Sequence, residues 1–184
     1  MIMANICDFS MRVRGQKNDI EKFYNAMRQN GNVYMGRGAD AEIEYEDEDE
    51  YSVGWIQGWC KWSVQSALID NAISMRTEPH RWFFGDGVDV SKIEFVTLIE
   101  ACRKYDLDME VFSEESGCCF QEHIMVINGD VVIDDCVEFN EYCLDEFDTK
   151  EEAEEALEID ITDAEWNNGG FISRGGFGEW EFEI

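Results

Sequence analysis

The sequence predicts one α+β domain, an antiparallel sheet backed by helices. Three observations carry that prediction. Alternating apolar and polar residues mark strands near both ends of the chain, and helical i, i+3, i+4, i+7 spacing marks segments between them. The pair Asn128-Gly129, set between two β-branched runs, marks a tight hairpin. Of the 184 residues 45% are hydrophobic and 13% aromatic, enough apolar content to fold around one core.

Residues 6–14 read as the first strand, with Cys7, Phe9, Met11 and Val13 on its apolar face and Gly15 as its end. Asn18 is placed to cap a helix whose apolar face is Ile20, Phe23, Tyr24 and Met27, with Gly31 as a terminator. A glycine-containing loop over 32–41 leads into an acidic run, and "YSVGWIQGWCKW" reads as a strand. A second helix is expected from Ser63 to about Met75, and "TEPHRWFFGDG" as loop. "SKIE" is a capping box that starts a helix at Ser91, with Phe95, Leu98, Ile99 and Cys102 on one face. "LDMEVFSEE" reads as a strand, followed by the Asn128-Gly129 hairpin. "TKEEAEEALE" opens another capped helix with Ala153, Ala156 and Leu157 on a narrow apolar stripe. Trp180, Phe182 and Ile184 alternate with Glu179, Glu181 and Glu183, the pattern of a terminal strand. This order fits a ferredoxin-like, split βαβ antiparallel sheet with helices on one face over 4–142. An acidic helix and terminal strand over 143–184 form a C-terminal α/β elaboration of the same domain.

The opening "ANICDFSMRVRG" resembles the "ANWC-x-N-x-L-x-V-x-G" start of the YubB-type ferredoxin-like family of phage and plasmid proteins, and "WCKW" at 59–62 is similar to that family's "WGTKW". The later helix, "MEVFSEESGCCF" and the Asn128-Gly129 hairpin follow in the family's order, so the likeness covers roughly residues 4–142. It departs at Ile6, where the family has tryptophan, and in lacking "SPP" before the long helix. The resemblance implies a fold and a mobile-element setting, and it brings no catalytic residues.

Charge is the main functional clue. There are 42 acids against 14 bases, a net charge of −28. Residues 1–37 hold six bases and three acids, whereas residues 105–184 hold 25 acids and two bases. Such a field repels phosphate backbones and anionic membranes and attracts basic surfaces. The N-terminus lacks a signal-peptide run and no later run is long enough for a bilayer, so a cytoplasmic protein in the host cytosol is expected. Seven cysteines with no CxxC pair read as reduced, partly buried small hydrophobes.

No catalytic, metal or cofactor site emerges. His80 and His123 stand far apart in sequence, and His123 reads as a strand-edge polar residue. "DGVDVSKIE" near Asp86 lacks the ligand spacing of a calcium loop. "GGFISRGGFG" has no following helix and no P-loop lysine, so its glycines read as turns and bulges.

The acids themselves suggest binding. Seven lie between residues 42 and 50: Glu42, Glu44, Glu46, Asp47, Glu48, Asp49 and Glu50. On a strand, alternate acids repeat at about 6.8 Å, half the density of a nucleic-acid strand with one phosphate per roughly 3.4 Å of axis. A second acidic element alongside would supply the remainder, and the expected source is Asp145, Glu146, Asp148, Glu151, Glu152, Glu154, Glu155 and Glu158. The functional expectation is a non-enzymatic nucleic-acid mimic that inhibits a basic host nucleic-acid-processing protein, such as a CRISPR nuclease. Solvated acidic faces are the plain alternative. A second alternative is an RNA- or DNA-binding module using Arg12, Arg14, Lys17, Lys22, Arg28 and Arg37, against which stands internal pairing of that patch with the acidic half. A combined mode, with the patch as a secondary nucleic-acid contact, is a further option, and an enzyme ranks third.

Overall fold

Strand β1 (Ile6–Gln16) runs through the middle of the fold. The structure, a computed structural model, describes residues 5–46, 49–78, 84 and 88–184. Around β1 stand β3 (Asp40–Tyr45), β4 (Tyr51–Lys61), β6 (Asp108–Glu115), β7 (Phe120–Ile127), β8 (Asp130–Cys143) and β9 (Phe171–Gly175). They form a seven-stranded sheet in the order β3-β4-β1-β6-β7-β8-β9, and every neighbouring pair is antiparallel. Two short strands, β2 (Val33–Met35) and β5 (Glu94–Val96), make a separate parallel ladder. The fold is thus mixed α+β, with a mainly antiparallel sheet.

The alternation in β1 decides which face is covered. Cys7, Phe9, Met11 and Val13 are buried against Ile20, Phe23 and Met27 of α1 (Lys17–Met27) and Leu98 of α3 (Leu98–Tyr105). A π-helical stretch, Gln65–Asp70, runs into α2 (Asn71–Thr77) and adds Leu68 to the same core. Glu122 of β7 ties this helix to the sheet. Its buried carboxylate accepts from Val64 N at 2.8 Å, Gln65 N at 3.3 Å and Ser113 Oγ at 2.7 Å, satisfying orphan donors at the helix start. A smaller core of Leu144, Ala153, Ile161 and Ile172 lies between α4 (Lys150–Leu157), α5 (Asp163–Asn168) and β9. Among the described residues no helix is long and apolar enough to cross a membrane.

Several local expectations shift. Helix α1 starts one strand residue later than Gly15 implies. Gln16 holds the N-cap position without a side-chain bond, and Lys17 N donates instead to Glu50 O at 2.8 Å, so the β3–β4 turn replaces the expected Asn18 cap. The helix ends at Met27, before Gly31. The capping box of α3 is Thr97/Glu100 rather than Ser91/Glu94. Ser91 sits in a single 3-10 turn, Val90–Lys92, and Phe95 belongs to β5, because strand pairing with β2 takes 94–96 out of the helix. Most of "TEPHRWFFGDG", with His80 and Asp86, lies outside the described residues. The hairpin follows expectation, since Asn128 (φ 52°) and Gly129 (φ 78°) both adopt the positive φ of a type I′ turn. On α4 the stripe narrows to Ala153 and half-buried Leu157, with Ala156 exposed.

The terminal strand is replaced by a different structure. The last strand is β9, paired with the second half of β8, and the chain then turns at Gly175 and Gly176, both at positive φ. Residues 177–184 belong to no strand. They cross the sheet face opposite the helices, where Trp180, Phe182 and Ile184 are half-buried and Glu179, Glu181 and Glu183 are exposed. The alternation therefore marks extended chain, and its apolar side packs on a sheet face instead of joining a ladder.

Candidate functional site

The sheet face away from α1 to α3 is assembled from the polar halves of the strand alternations. Pairing sets Asp40, Glu42 and Glu44 of β3 opposite Trp59, Gln57 and Trp55 of β4. These in turn oppose Asp8, Ser10 and Arg12 of β1, and Arg12 and Ser10 oppose Glu110 and Phe112 of β6. Asp8, Asp40, Glu42, Glu44, Trp55 and Trp59 line a shallow groove of about 480 Å³. Gly58 lets β3 close on β4. A Cβ at that position would stand 2.2 Å from Asp40 O and 2.6 Å from the Ala41 Cα.

The expected acidic stretch divides into parts with separate fates. Glu42 and Glu44 are exposed on this face. Glu46, just past the end of β3, pairs with Arg12. Asp49 and Glu50 lie exposed in the turn to β4, and Asp47 and Glu48 lie outside the described residues. The second acidic set does not stand alongside. Asp145, Glu146 and Asp148, and Glu151, Glu152, Glu154, Glu155 and Glu158 on or beside α4, follow β8, which stands five strands from β3 in the sheet. Strand order decides this separation, because β4, β1, β6 and β7 all stand between β3 and β8 in the sheet. Some of these acids also have local work. Asp145 Oδ1 accepts from Gly170 N at 2.9 Å, and Glu154 Oε1 accepts from Ile161 N at 3.0 Å. The acids that do share the β3 face include Asp8, Asp40, Glu110 and Glu114 and those of the C-terminal segment.

The N-terminal bases are largely consumed inside the molecule. Arg14 pairs with Asp108 at 2.7 Å, and that bond holds its pKa above the ordinary guanidinium value. Lys22 pairs with Asp19 at 2.7 Å, and Arg28 with Asp40 at 3.3 Å. Lys17 Nζ sits 4.4 Å from the Tyr45 ring centre. The Arg37 backbone N–H donates to Ala67 O at 3.1 Å. Arg12 is the most committed. It pairs with Glu46, donates from Nη1 to Ile184 O at 2.9 Å, and lies 5.2 Å from the Trp55 ring centre and 5.9 Å from that of Phe182.

Sequence reasoning missed the anchor of the C-terminal segment. Glu110 is fully buried, and its Oε2 accepts from Glu183 N at 2.6 Å and Ile184 N at 3.2 Å. The His123 Nε2–H donates to Oε1 at 2.9 Å. His123 is therefore a central residue stacked on Phe112 at 3.9 Å, not an edge residue, and Trp180 stacks on Phe112 at 5.7 Å. Alternation placed Glu110 and His123 on strands; nothing local announced that they meet diagonally across β6 and β7.

Among the described residues no cysteine opens onto this face beside a base. Cys7 and Cys60 are directly opposed and buried on the helix side, where mutual thiol contact and burial push Cys60 up. Among the described residues no group of three or more His, Cys, Asp or Glu is arranged to hold a metal ion. In comparisons with protein-family models, curated proteins and solved structures, nothing matched the chain.

Proposed function

We propose that this chain is a non-enzymatic inhibitor that binds a basic surface of a host nucleic-acid-processing protein through its acidic sheet face, with a CRISPR nuclease as the candidate target. The reading places it in a mobile element and in the host cytosol, as the resemblance to YubB-type proteins implies. It also takes the core as ferredoxin-like: β1 and β3 flank β4, β4 and β6 flank β1, and helices make both crossovers.

One observation carries the proposal. Asp8, Glu42 and Glu44 are exposed together on one sheet face and form no direct ion pair among the described residues. Along β3 the carboxylates repeat at about 6.8 Å, the axial rise of two phosphates at roughly 3.4 Å each. Glu179, Glu181 and Glu183 add exposed acids on the same side. A partner's Lys/Arg channel gains Coulomb attraction from such a surface and loses its affinity with salt. The alternative nucleic-acid module draws no support from the Arg12 patch, given its internal partners.

Cleavage by a guide-loaded Cas9-type nuclease, measured at about 50 and 200 mM salt, tests the reading. Inhibition should weaken with salt and fall about tenfold or more in the triple variant Asp8→Asn, Glu42→Gln, Glu44→Gln. Inhibition untouched by that variant would remove this face from the mechanism, and no inhibition would remove the nuclease as target. A shift of labelled nucleic acid by the chain alone would favour the basic patch.

A further inference from the structure

We infer that the groove between β3, β4 and β1 is a guanidinium site that seats an arginine side chain of a partner protein's basic segment. The inference rests on the proposed reading of the acidic face and adds which side chain it recognises.

The molecule already holds one arginine in this manner on the same face. Arg12 lies over Trp55 and beside Phe182, pairs at one end with Glu46, and donates at the other to Ile184 O. A planar cation is thus held by an aromatic face, a carboxylate and the Ile184 oxygen, which engage its two Nη groups and leave the buried Nε without a hydrogen-bond partner among the described residues. Four residues along β4, Trp59 repeats the aromatic element; Arg28, Arg37 and Lys61 line a neighbouring pocket with it, and no cation among the described residues lies over its ring. Trp59 is 41% exposed, and the ladder places Asp8 directly opposite on one side and Asp40 on the other. Opposed residues on neighbouring strands have Cβ atoms about 5 Å apart, so the indole is bracketed by carboxylates at pairing distance from a guanidinium seated on it. Glu42 stands two residues from Asp40 on the same side of β3. Asp40 is paired with Arg28 at 3.3 Å, and the same guanidinium acts at longer range on Glu42; Asp8 and Glu42 form no direct ion pair among the described residues. Gln57, opposite Glu42 and between the two tryptophans, adds a side-chain acceptor in the groove.

This chemistry selects arginine over lysine. Guanidinium stacks flat on an indole while its edge N–H groups reach carboxylates on both sides, whereas an ammonium is a compact, strongly hydrated point charge. A merely acidic surface would rank partners by charge alone.

Titration of the full chain with hexa-arginine and hexa-lysine peptides, at about 150 mM salt, tests the site. Tryptophan fluorescence and calorimetry report binding, and the Trp59 indole N–H resonance reports its location. Hexa-arginine should bind about fivefold tighter than hexa-lysine and move the Trp59 resonance. Trp59→Ala, and Trp59→Leu as a variant that keeps bulk, should each cancel the arginine preference while leaving hexa-lysine affinity within about twofold. Equal affinity for the two peptides, a still Trp59 resonance, or a preference that survives both variants would overturn the site. Nuclease inhibition that needs Asp8, Glu42 and Glu44 without any arginine preference would sink this inference and spare the acidic-face reading. The reverse pattern would keep the site and discard the nuclease.

Discussion

The substitution Glu110→Ala probes how the C-terminal segment is held. The carboxylate has no exposure and accepts three hydrogen bonds, two of them from Glu183 N and Ile184 N. Hydrogen bonds to a charged group contribute roughly 1.5–3 kcal/mol each, so simple addition gives a loss of at least about 4 kcal/mol. That sum overshoots. Both backbone donors belong to a segment with no ladder bonds, which can lift into water and recover its hydration. The loss therefore saturates at the docking free energy of the segment. Half-burial of Trp180 and Phe182 sets that ceiling at about 1.5–3 kcal/mol, taking half the value of a fully buried large apolar side chain for each. Relief of the cost of burying the carboxyl group offsets part of it. We expect Glu110→Ala to destabilise by about 2 kcal/mol in urea unfolding followed by far-UV circular dichroism. Amides of 180–184 should then exchange as exposed chain. Glu110→Gln keeps an acceptor for the two amides and should lose less than half as much. A change below about 0.5 kcal/mol with protection of those amides intact would refute the anchoring role.

Two other outcomes are expected. Gly58→Ala forces a Cβ to 2.2 Å from Asp40 O, so β3 must move; overpacking of this kind costs about 1–3 kcal/mol, read as a lower urea midpoint, and wild-type stability would contradict the close β3–β4 approach. Glu165 has its pKa held down to about 2 by Arg174 first and by Thr162 next. Its folded value lies below the ordinary value of about 4.3, so its contribution is complete above that pH and fades as pH falls toward about 2. Carboxyl-carbon NMR should place the wild-type midpoint there and show it moving up in Arg174→Gln, and an unmoved midpoint would discount the pair.

The capping box shows why local signals locate elements better than boundaries. "SKIE" and "TLIE" both satisfy the pattern, and only the pairing of Val33–Met35 with Glu94–Val96 selects the second. The acidic groove was legible in part. Period-two alternation puts Glu42 and Glu44 on one side of a strand wherever that strand lies. Asp8 joins them only because β4 lies between β3 and β1, a pairing across some fifty residues of chain. Internal pairing of the N-terminal basic patch is expected from the sequence, but which acids meet it is not: Glu46 follows β3 and Asp108 opens β6.

The sequence by itself determined the mixed α+β class, the apolar faces of β1 and α1, the Asn128-Gly129 turn and the large acid excess. All of these follow from backbone periodicity, turn sterics or composition, which act over a few residues. Tertiary structure alone decided that the acids of 145–158 stand at the far side of the sheet from β3. It also decided that Trp180 and Phe182 pack on a sheet face, and that Arg12 is held between Glu46 and Ile184. These outcomes depend on strand order and on which side chains meet across the sheet. Contacts between residues tens to more than a hundred positions apart leave no local pattern, because their energy exists only once the strands between them are in register.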